Sequence, residues 1–423
     1  MKVFKFGGAS VKDATAVRNI TDILSLFPNE KIVVVISAMG KTTNALEALF
    51  KAYMSKANYS EELQTLKDFH LTVIGELFKS KDHPVYDIFD ATLKELQAIL
   101  DKEPFDNANY QYDQIVSYGE LLSTKIISHY AHDNGVNNRW INAKSIIRTD
   151  NKYREANILW DNTNEQIKAR VENKFNEADV VITQGFIGST PEQLTTTLGR
   201  EGSDFTAAII GAALDAASVT LWKDVPGILT GDPKVFESAQ LLDKISYNEA
   251  IEMTYYGAKV LHPKTIKPLE NKGIPLNVKS FIEPKQKGTV VEKLEQELDY
   301  KPITILEKKQ LQIKVRTKDL SFISEQNLSD IYKACAANQL KINLMQHSAI
   351  SLTLVCDDKP YKTKHVLANL SEQFHMEIKS DVELLTIRHY DYEIIYELCK
   401  DKKILMESKS QSTYQIVTIP QPS

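Results

Sequence analysis

The feature that most restricts the fold is a series of short aliphatic segments separated by helical sequence. Residues 32–36 and 179–184 are nearly continuous aliphatic runs, which is typical of strands buried on both faces. Strand-like patterns also occur at residues 2–6, 218–222 and 274–281. This repeated strand–helix order predicts a parallel sheet covered by helices on both faces. Ligands of such sheets bind at the carboxyl ends of the strands, so the loops that follow the strands are the candidate site.

Glycine usage separates the chain into two parts. All 16 glycines lie between Gly7 and Gly288, and none follows. The first part therefore depends on glycine turns and close backbone approaches, and we expect the second part to manage without them. From residue 302 the pattern changes to short strands and helices in the order of two split βαβ units, with separate strands predicted at 303–307 and 311–317 and a later strand at 382–388. We divide the chain into residues 1–288, a linker at 289–301 and a second region at 302–423.

Composition excludes several classes of protein. The net charge of −5, from 51 basic and 56 acidic residues, argues against a nucleic-acid binder that works through a general basic surface. No apolar run approaches the roughly 18 residues of a membrane span, and the first residues lack the apolar core of a secretory signal. Cys335, Cys356 and Cys399 form no C-x-x-C pair, so we expect buried, unpaired thiols. The chain is predicted to be cytoplasmic, with no nucleic-acid or membrane partner.

The first motif is Lys5-Phe6-Gly7-Gly8-Ala9-Ser10, between a predicted strand and a predicted helix. Two glycines let backbone N–H groups approach an anion, and the helix N-terminus adds a positive dipole. Lys5 supplies a full charge. The motif predicts a phosphate site, with an ordinary Gly-Gly turn as the alternative.

Two further motifs contain polar groups at helix starts. Residues 37–44, Ser-Ala-Met-Gly-Lys-Thr-Thr-Asn, follow a buried strand and are rich in hydroxyls. They either line a ligand site or cap the next helix through Ser37 or Thr42. In Ser117-Tyr118-Gly119-Glu120, the carboxylate either complements the helix dipole or receives a substrate ammonium.

The most informative segment begins with Gly-Phe-Ile-Gly at 185–188 and continues as Thr-Thr-Thr-Leu-Gly-Arg-Glu-Gly-Ser-Asp at 195–204. It follows a buried strand and enters a helix. Arg200 can form two parallel hydrogen bonds to a carboxylate or a phosphate. Ser203 and Asp204 lie at the helix start, where backbone donors are free. A purely structural role does not account for this combination of residues, so the segment predicts an anion-binding loop.

Two later motifs are ambiguous on their own. In residues 222–233, Trp-Lys-Asp-Val-Pro-Gly-Ile-Leu-Thr-Gly-Asp-Pro, the Pro-Gly and Asp-Pro pairs fix turns. Such a loop either holds a nucleotide base and ribose or is simply rigid. Residues 257–263, Gly-Ala-Lys-Val-Leu-His-Pro, contain Lys259, which is either a second phosphate-facing cation or a solvated surface lysine.

The ordered set of these motifs resembles the aspartate kinase family of the amino-acid-kinase fold, over the whole chain. The resemblance implies an α/β protein: a three-layer αβα sandwich with a mainly parallel central sheet, followed by two ferredoxin-like βαββαβ modules of the ACT type. In this family one module is often inserted in the other. Residues 1–288 would be the catalytic domain and residues 302–423 the regulatory region.

The family implies a phosphotransferase with a carboxyl group as acceptor, which converts ATP and L-aspartate into ADP and 4-phospho-L-aspartate. This is the first step towards lysine, threonine, methionine and diaminopimelate. The nucleophile is a carboxylate that is ionised at neutral pH, so no general base is required. Catalysis then depends on alignment and charge neutralisation. The implied cofactor is Mg²⁺ with ATP, and no side chain of the protein is predicted as a metal ligand.

The resemblance also assigns residues. Lys5 would contact the transferring phosphate, Glu120 would receive the substrate ammonium, and Arg200 would bind the substrate α-carboxylate. The catalytic residues are Lys5, Asp204 and Lys259. The substrate-binding residues are Ser37, Thr43, Glu120, Arg200 and Ser203. The ATP-binding residues are Lys5, Gly7, Gly8, Ser10, Lys223, Asp224, Gly227, Leu229, Asp232, Pro233 and Lys259.

The chain departs from the family pattern at a few positions. Ala9 replaces a common threonine, and Lys223 and Leu229 replace other common residues. Glu201 stands where a glycine is common, and we expect its side chain to point away from the anion site. The family implies lysine or threonine as an inhibitor at the ACT region, but the ACT loop that contacts the inhibitor often carries a glycine and this tail has none, so inhibition by lysine, by threonine, by both or by neither stays open. A homo-oligomer would form through the ACT modules. The competing hypotheses are another small-carboxylate kinase, such as a glutamate kinase, and an amino-acid-sensing subunit without catalysis.

Overall fold

The computed structural model describes residues 1–258, 261–296 and 298–420, and these form two compact units. The first unit contains residues 1–228, 241–251 and 261–296. The second contains residues 229–240, residues 252–258 and the described residues from 298 onwards. The two units are therefore interleaved along the sequence.

The first unit is built on an eight-stranded sheet in the order β3-β4-β2-β1-β7-β9-β10-β8. Neighbouring strands are parallel except for the antiparallel pair of β9 and β10. The strands β5 and β6 form a separate antiparallel hairpin. Their bounds are β1 Lys2–Phe6, β2 Ile32–Ile36, β3 Asn138–Ile141, β4 Val180–Gln184, β5 Ile187–Ser189, β6 Thr195–Thr197, β7 Ser218–Lys223, β8 Lys244–Ser246, β9 Leu276–Ser280 and β10 Thr289–Glu292.

Helices connect these strands, and two 3₁₀ turns lie at Gly8–Val11 and Ala143–Ser145. The last residues of α9 belong to the second unit. The bounds are α1 Ala14–Ser25, α2 Thr42–Met54, α3 Ser60–Leu77, α4 Pro84–Leu100, α5 Ala108–Val116, α6 Tyr118–Asp133, α7 Trp160–Lys174, α8 Gly202–Ala213, α9 Tyr247–Tyr255 and α10 Pro263–Glu270. No helix in the described ranges is long and apolar enough to cross a membrane.

Both faces of this sheet are buried, as the aliphatic runs predict. Every residue of β2 and β4 is buried. On one face, Phe4 and Val34 belong to a cluster that includes Ile20 of α1 and Ile126 of α6. On the other face, α8 packs so closely that a Cβ on Gly211 would lie 2.5 Å from the Val219 side chain. Because successive side chains of a strand alternate between faces, the two layers of helices lie on opposite sides.

The strand register brings four loops to one edge of the sheet. Phe6 at the end of β1 is level with Ile36 of β2 and Trp222 of β7, and Ile36 is level with Gln184 of β4. These four strands are parallel, so the loops that follow them are neighbours. The ends of β1, β2, β4 and β7 thus meet where the sequence motifs begin.

The second unit contains a six-stranded antiparallel sheet in the order β12-β13-β11-β14-β16-β15. Two strands, β11 and β14, are each 15 residues long and pair along their whole length. The bounds are β11 Ile303–Thr317, α11 Glu325–Ala337, β12 Ile342–Ser348, β13 Ser351–Asp357, α12 Pro360–Leu370, β14 Phe374–Arg388, α13 Tyr392–Cys399, β15 Lys403–Lys409 and β16 Thr413–Ile419.

The predicted pair of small modules is present, but the modules share strands. The sequence pattern suggested separate strands at 303–307 and 311–317, whereas β11 is continuous. Lys309 has φ 55°, and the register of β11 against β14 shifts between Glu307 and Gln310, so the side-chain alternation breaks while the strand continues. One half of β11 and of β14 belongs to the module with α11 and α12. The other half belongs to the module with α13, whose remaining strands are β15 and β16.

The unit boundaries differ from the predicted 1–288, 289–301 and 302–423. Residues 289–292, placed in the linker by sequence, are β10 of the first sheet. Residues 229–240 group with the second unit because of specific contacts. The Thr304 N–H donates to the Thr230 carbonyl at 2.7 Å, and Phe236 packs against the cluster that contains Leu306 and Ile394.

The glycine-free tail contains left-handed backbone after all. Its positive-φ residues, all of them non-glycine, are Lys309, Leu320, Gln339, Asp381 and His389. The tail therefore forms left-handed turns with L-residues in place of glycine. Its three cysteines are buried and unpaired, as predicted.

Candidate active site

A cavity of about 350 Å³ in the first unit lies at the shared ends of the four strands. Residues from all four loops and from α6 and α8 line it. They include eight of the predicted site residues, one of which is a glycine of the first motif. The lining residues are Lys5, Gly8, Ser37, Ala38, Gly40, Thr43, Glu120, Phe186, Gly199, Glu201, Gly202, Ser203, Asp204 and Lys223.

Asp204 is the centre of the charged group. It is 3% exposed, and its carboxylate pairs with the Lys5 ammonium at 2.5 Å and with the Lys223 ammonium at 3.4 Å. Burial alone would raise the pKa of Asp204, but the two ammonium groups hold the pKa below its usual value. Asp204 is therefore ionised at neutral pH and keeps two cations at the floor of the cavity.

The glycines of the first motif leave space for the Lys5 side chain and for the neighbouring loop. A Cβ on Gly7 would lie 3.1 Å from the Lys5 ammonium nitrogen, and a Cβ on Gly8 would lie 3.1 Å from the Gly40 carbonyl oxygen. The Gly40 N–H donates to the Gly8 carbonyl at 3.2 Å, which joins the first two loops. The hydroxyl of Ser10, predicted as an ATP contact, instead donates to the Trp222 carbonyl at 3.2 Å.

Glu120 is a second buried carboxylate in the lining. It lies in the first turn of α6 and is 3% exposed. Burial raises its pKa to about 8, and backbone N–H groups of Ala38 and Glu120 itself oppose that rise only in part. Its Oε2 atom is buried and has no hydrogen-bond partner in the described parts of the chain. The site thus presents an unsatisfied acceptor to a ligand.

Gly185 lets the start of α8 approach the end of β4. A Cβ at this position would lie 2.4 Å from the Ser203 Cβ and 2.7 Å from its Cα. Neither the short side chain of Ser203 nor its backbone can shift easily to make room for a Cβ. The sequence motif uses glycine here because the helix that carries Ser203 and Asp204 must lie against the strand.

Gly185→Ala should therefore lower the free energy of unfolding of the first unit by about 1–3 kcal/mol. Gly75→Ala is the matched control, because Gly75 lies within α3 and a Cβ there meets nothing within 4 Å. The control should gain about 0.5–1 kcal/mol from helix propensity. Urea unfolding followed by tryptophan fluorescence measures both, since Trp140, Trp160 and Trp222 all lie in this unit. Equal stability of the two variants would contradict the contact.

Several predicted residues lie elsewhere. The side chain of Arg200 is exposed and does not line the cavity, and Asp224 is also exposed. Gly227 is buried against Leu241 and Thr289. Lys259 lies outside the described residues. Leu229, Asp232 and Pro233 belong to the second unit.

Glu201 contradicts its sequence-based expectation. We expected the side chain to point away from the anion site, but it lines the cavity. Its backbone is left-handed at the start of α8, with φ 54° and ψ 28°, and its Oε2 atom is buried. Nothing in the sequence alone reveals a positive φ at a non-glycine residue.

Asp113 is a residue that sequence reasoning missed. It is fully buried in α5, and its carboxylate accepts from the Thr197 N–H at 2.9 Å, the Thr197 hydroxyl at 2.7 Å and the Arg154 N–H at 2.9 Å. It thereby fixes the strand that leads into the Gly199–Arg200 turn. Thr197 lies 84 residues and Arg154 41 residues along the chain from Asp113, so no local signal identified these contacts.

The comparisons with known proteins agree with this arrangement. The model of the amino acid kinase family matches residues 1–280. The lysine-sensitive aspartokinase 3 of Escherichia coli is 30% identical over 394 residues, which cover 91% of this chain and 86% of that protein. Aspartokinase 1 of Arabidopsis thaliana is 36% identical over 300 residues, which cover 69% of this chain and about half, 52%, of that longer protein.

Solved structures give the same result. Aspartokinase III of E. coli in complex with lysine and aspartate has a TM-score of 0.84 at 28% identity, covering 99% of this chain and 95% of that one. The same enzyme with aspartate and ADP has a TM-score of 0.81 at 27% identity and covers 99% and 96%. The chain belongs to the amino acid kinase family and, within it, to the aspartokinases. The predicted fold class, a parallel α/β sandwich followed by small antiparallel ACT-type modules, is confirmed.

Proposed function

We propose that this chain is an ATP-dependent kinase that phosphorylates the side-chain carboxylate of L-aspartate to 4-phospho-L-aspartate, the first step towards lysine, threonine and methionine. The observation that carries the proposal is the content of one cavity. It holds two ammonium groups anchored on Asp204 and, separately, the unsatisfied carboxylate of Glu120. An amino acid bound beside a nucleoside triphosphate needs a carboxylate for its ammonium group and ammonium groups for the phosphates.

The substrate end of the cavity is assigned to the α6 side. Glu120 receives the α-ammonium of aspartate, which gives the buried carboxylate the charged partner that burial makes necessary. Ser37, Thr43 and Ser203 line the same cavity with hydroxyls. Arg200 binds the α-carboxylate, and its exposed side chain turns inward when the substrate arrives.

The phosphate end is assigned to the β1 and β7 ends. Lys5 neutralises the transferring phosphoryl, with Gly7 and Gly8 as backbone donors and Asp204 as the group that positions the ammonium. Lys223 and Lys259 are assigned to the remaining phosphates. The part of the 223–233 segment that lies in the first unit, including Asp224, is assigned to the rest of the nucleotide.

The chemistry follows from these placements. An oxygen of the ionised β-carboxylate attacks the γ-phosphorus, a new O–P bond forms, and the bond to the β–γ bridging oxygen breaks as ADP leaves. No proton moves in this step, because the nucleophile is already ionised and ADP leaves as an anion. The contribution of the protein is to align two anions and to stabilise the charge spread over the phosphoryl oxygens.

Mg²⁺ with ATP is the proposed cofactor, and the donor set fits a shared site. Carboxylate oxygens, the hard ligands that Mg²⁺ prefers, are present at Glu201 and Asp204 around the cavity. No group of three or more His, Cys, Asp or Glu residues in the described ranges could hold a metal alone. The remaining ligands must therefore be phosphate oxygens and water. When bound, Mg²⁺ supplies positive charge across the nucleotide phosphates.

The test is a coupled assay of ADP release with purified protein, Mg²⁺ and ATP, comparing L-aspartate with L-glutamate. We expect turnover with aspartate well above that with glutamate. A preference for glutamate would favour another carboxylate kinase of the same fold. No turnover with either would favour a sensing subunit and would refute the proposal.

Arg200→Ala should raise the aspartate KM by about 10- to 100-fold, because a charge-assisted bidentate contact is worth about 1.5–3 kcal/mol. The ATP KM should change little. The control is Arg139→Ala, which removes an exposed arginine paired with Glu177. Equal losses of aspartate and ATP affinity would place Arg200 at the nucleotide instead.

The second unit is assigned a regulatory role and a role in subunit pairing. The inhibitors to add to the assay are lysine, threonine and the two together, because the E. coli relative is lysine-sensitive by name. The expected assembly is a homo-oligomer through the ACT modules. Sedimentation velocity checks this, and a monomer at the assay concentration would contradict it.

A further inference from the structure

Glu201 combines two unfavourable features in one residue. Its backbone lies in the left-handed region, at φ 54° and ψ 28°, where residues other than glycine are disfavoured. Its side chain makes no capping hydrogen bond to the helix that it begins. The residue therefore gains nothing in local structure from being a glutamate.

One carboxylate oxygen of Glu201 is also unsatisfied, although the charge of the carboxylate acts on the nearby His262. The Glu201 side chain lines the same cavity as Lys5 and Glu120, and its Oε2 atom is buried without a hydrogen-bond partner in the ranges that the structure describes. A buried carboxylate oxygen without a partner is costly. Backbone strain and a missing partner at one residue are a combination found where a bound ligand supplies the compensation.

The charges around the cavity limit what that ligand can be. Lys5 and Lys223 both pair with Asp204, so three carboxylates share the lining with two ammonium groups. Glu120 and Glu201 each have a buried oxygen without a partner among the described residues, and Glu120 is only 3% exposed. The cavity thus presents two carboxylates for two cationic groups. Aspartate offers one ammonium, which the proposed function assigns to Glu120.

We propose that Glu201 is a protein ligand of the divalent cation that accompanies ATP, an inference that rests on the proposed kinase function. A carboxylate oxygen is the hard ligand that Mg²⁺ prefers, and Mg²⁺ is usually held by one or two carboxylates together with substrate phosphates and water. Because the described residues include no group of three that could hold a metal alone, the nucleotide must complete the site. Tight metal binding should therefore require ADP or ATP.

The test is a titration of Mn²⁺, as a spectroscopic substitute for Mg²⁺, followed by electron paramagnetic resonance at saturating ADP. The wild type should bind one tight Mn²⁺ with ADP and only weakly without it. Glu201→Gln and Glu201→Gly should both weaken the ADP-dependent site by about tenfold or more. Glu192→Gln is the control, because Glu192 is exposed on the hairpin between β5 and β6, and it should match the wild type.

The two variants separate metal binding from folding. Glycine is favoured at φ 54°, so Glu201→Gly should unfold at the same temperature as the wild type or at a higher one. Unchanged Mn²⁺ affinity in both variants would overturn the proposal. So would a raised aspartate KM with normal Mn²⁺ binding, which would make Glu201 an ammonium receptor, or a loss of metal-free ADP binding, which would make it a nucleotide contact.

The titration needs no aspartate, so it is independent of the phosphoryl acceptor. If the wild type fails to phosphorylate aspartate but Glu201→Gln still loses the ADP-dependent Mn²⁺ site, the proposed substrate is wrong and the metal assignment stands. If the wild type phosphorylates aspartate and the variants bind Mn²⁺ normally, the kinase function stands and the metal assignment is wrong.

Discussion

Lys5→Met should reduce kcat for aspartate-dependent ADP release by about 100- to 1,000-fold, the usual effect of removing one group that stabilises transition-state charge. The ammonium lies 2.5 Å from Asp204 at the floor of the cavity, where little water screens it. The aspartate KM should change much less, because Glu120 and Arg200 are assigned to the substrate. Steady-state kinetics with both substrates varied provides the measurement.

The folded state should survive this substitution. Asp204 keeps the Lys223 ammonium at 3.4 Å, so the buried carboxylate retains one partner. Lys12→Met is the matched control, since Lys12 is an exposed lysine seven residues along the same loop region, and it should leave kcat unchanged. A Lys5→Met enzyme with near-normal kcat would show that Lys5 does not act on the transferring phosphoryl.

The second large expected effect is a pH dependence of kcat/KM for aspartate, caused by the ionisation of Glu120. Because burial raises the pKa of Glu120 to about 8, the carboxyl group is largely protonated at neutral pH before substrate binds. Only the ionised form attracts the aspartate ammonium strongly. We therefore expect kcat/KM for aspartate to rise about tenfold per pH unit from pH 6 and to level off near pH 8. Glu120→Gln should remove this slope and lower the plateau by about 10- to 100-fold.

Glu120 should also make the free energy of unfolding decrease as pH rises. A carboxyl whose pKa is higher in the folded state holds a proton that the unfolded chain has already lost. The free energy of unfolding should therefore be greatest below the ordinary glutamate pKa and should fall as pH rises towards 8. Urea unfolding at pH 5 and pH 9 should show a smaller difference for Glu120→Gln than for the wild type.

Glu61→Gln is the control for both measurements, because Glu61 occupies the first turn of α3 but is exposed. It should reproduce the wild-type profiles. A wild-type kcat/KM that is flat between pH 6 and pH 8 would contradict the assignment of Glu120 to the substrate ammonium.

Much of the first unit could be predicted because its signals are local. The buried runs at 32–36 and 179–184 contain too little polarity for any other element, and both are strands. The turns that follow them require glycine for close approaches such as that of Gly185 to Ser203. The order of the motifs along the chain then placed Lys5, Glu120 and Asp204 in one cavity.

The remaining features depend on backbone conformation and long-range contacts. The sequence motif 199–204 could not show that Glu201 lines the cavity while the neighbouring Arg200 is exposed, since the positive φ of Glu201 leaves no sequence signal at a non-glycine residue. Asp113 reaches a partner 84 residues away. The strand β14 was predicted only for residues 382–388, because its first half is mostly exposed and lacks an aliphatic alternation.

The interleaving of the two units has a consequence for recombination. Residues 229–240 pack within the second unit through Thr230 and Phe236, although in sequence they lie inside the catalytic part. If the tail were replaced by that of another aspartokinase at a single junction after Gln296, the new tail would have to pack against residues 229–240 of this chain, to which its side chains are not matched. A working chimera must carry residues 229–240 and 252–258 together with the new tail. The second unit therefore consists of three separate segments of the chain, and all three must be exchanged together.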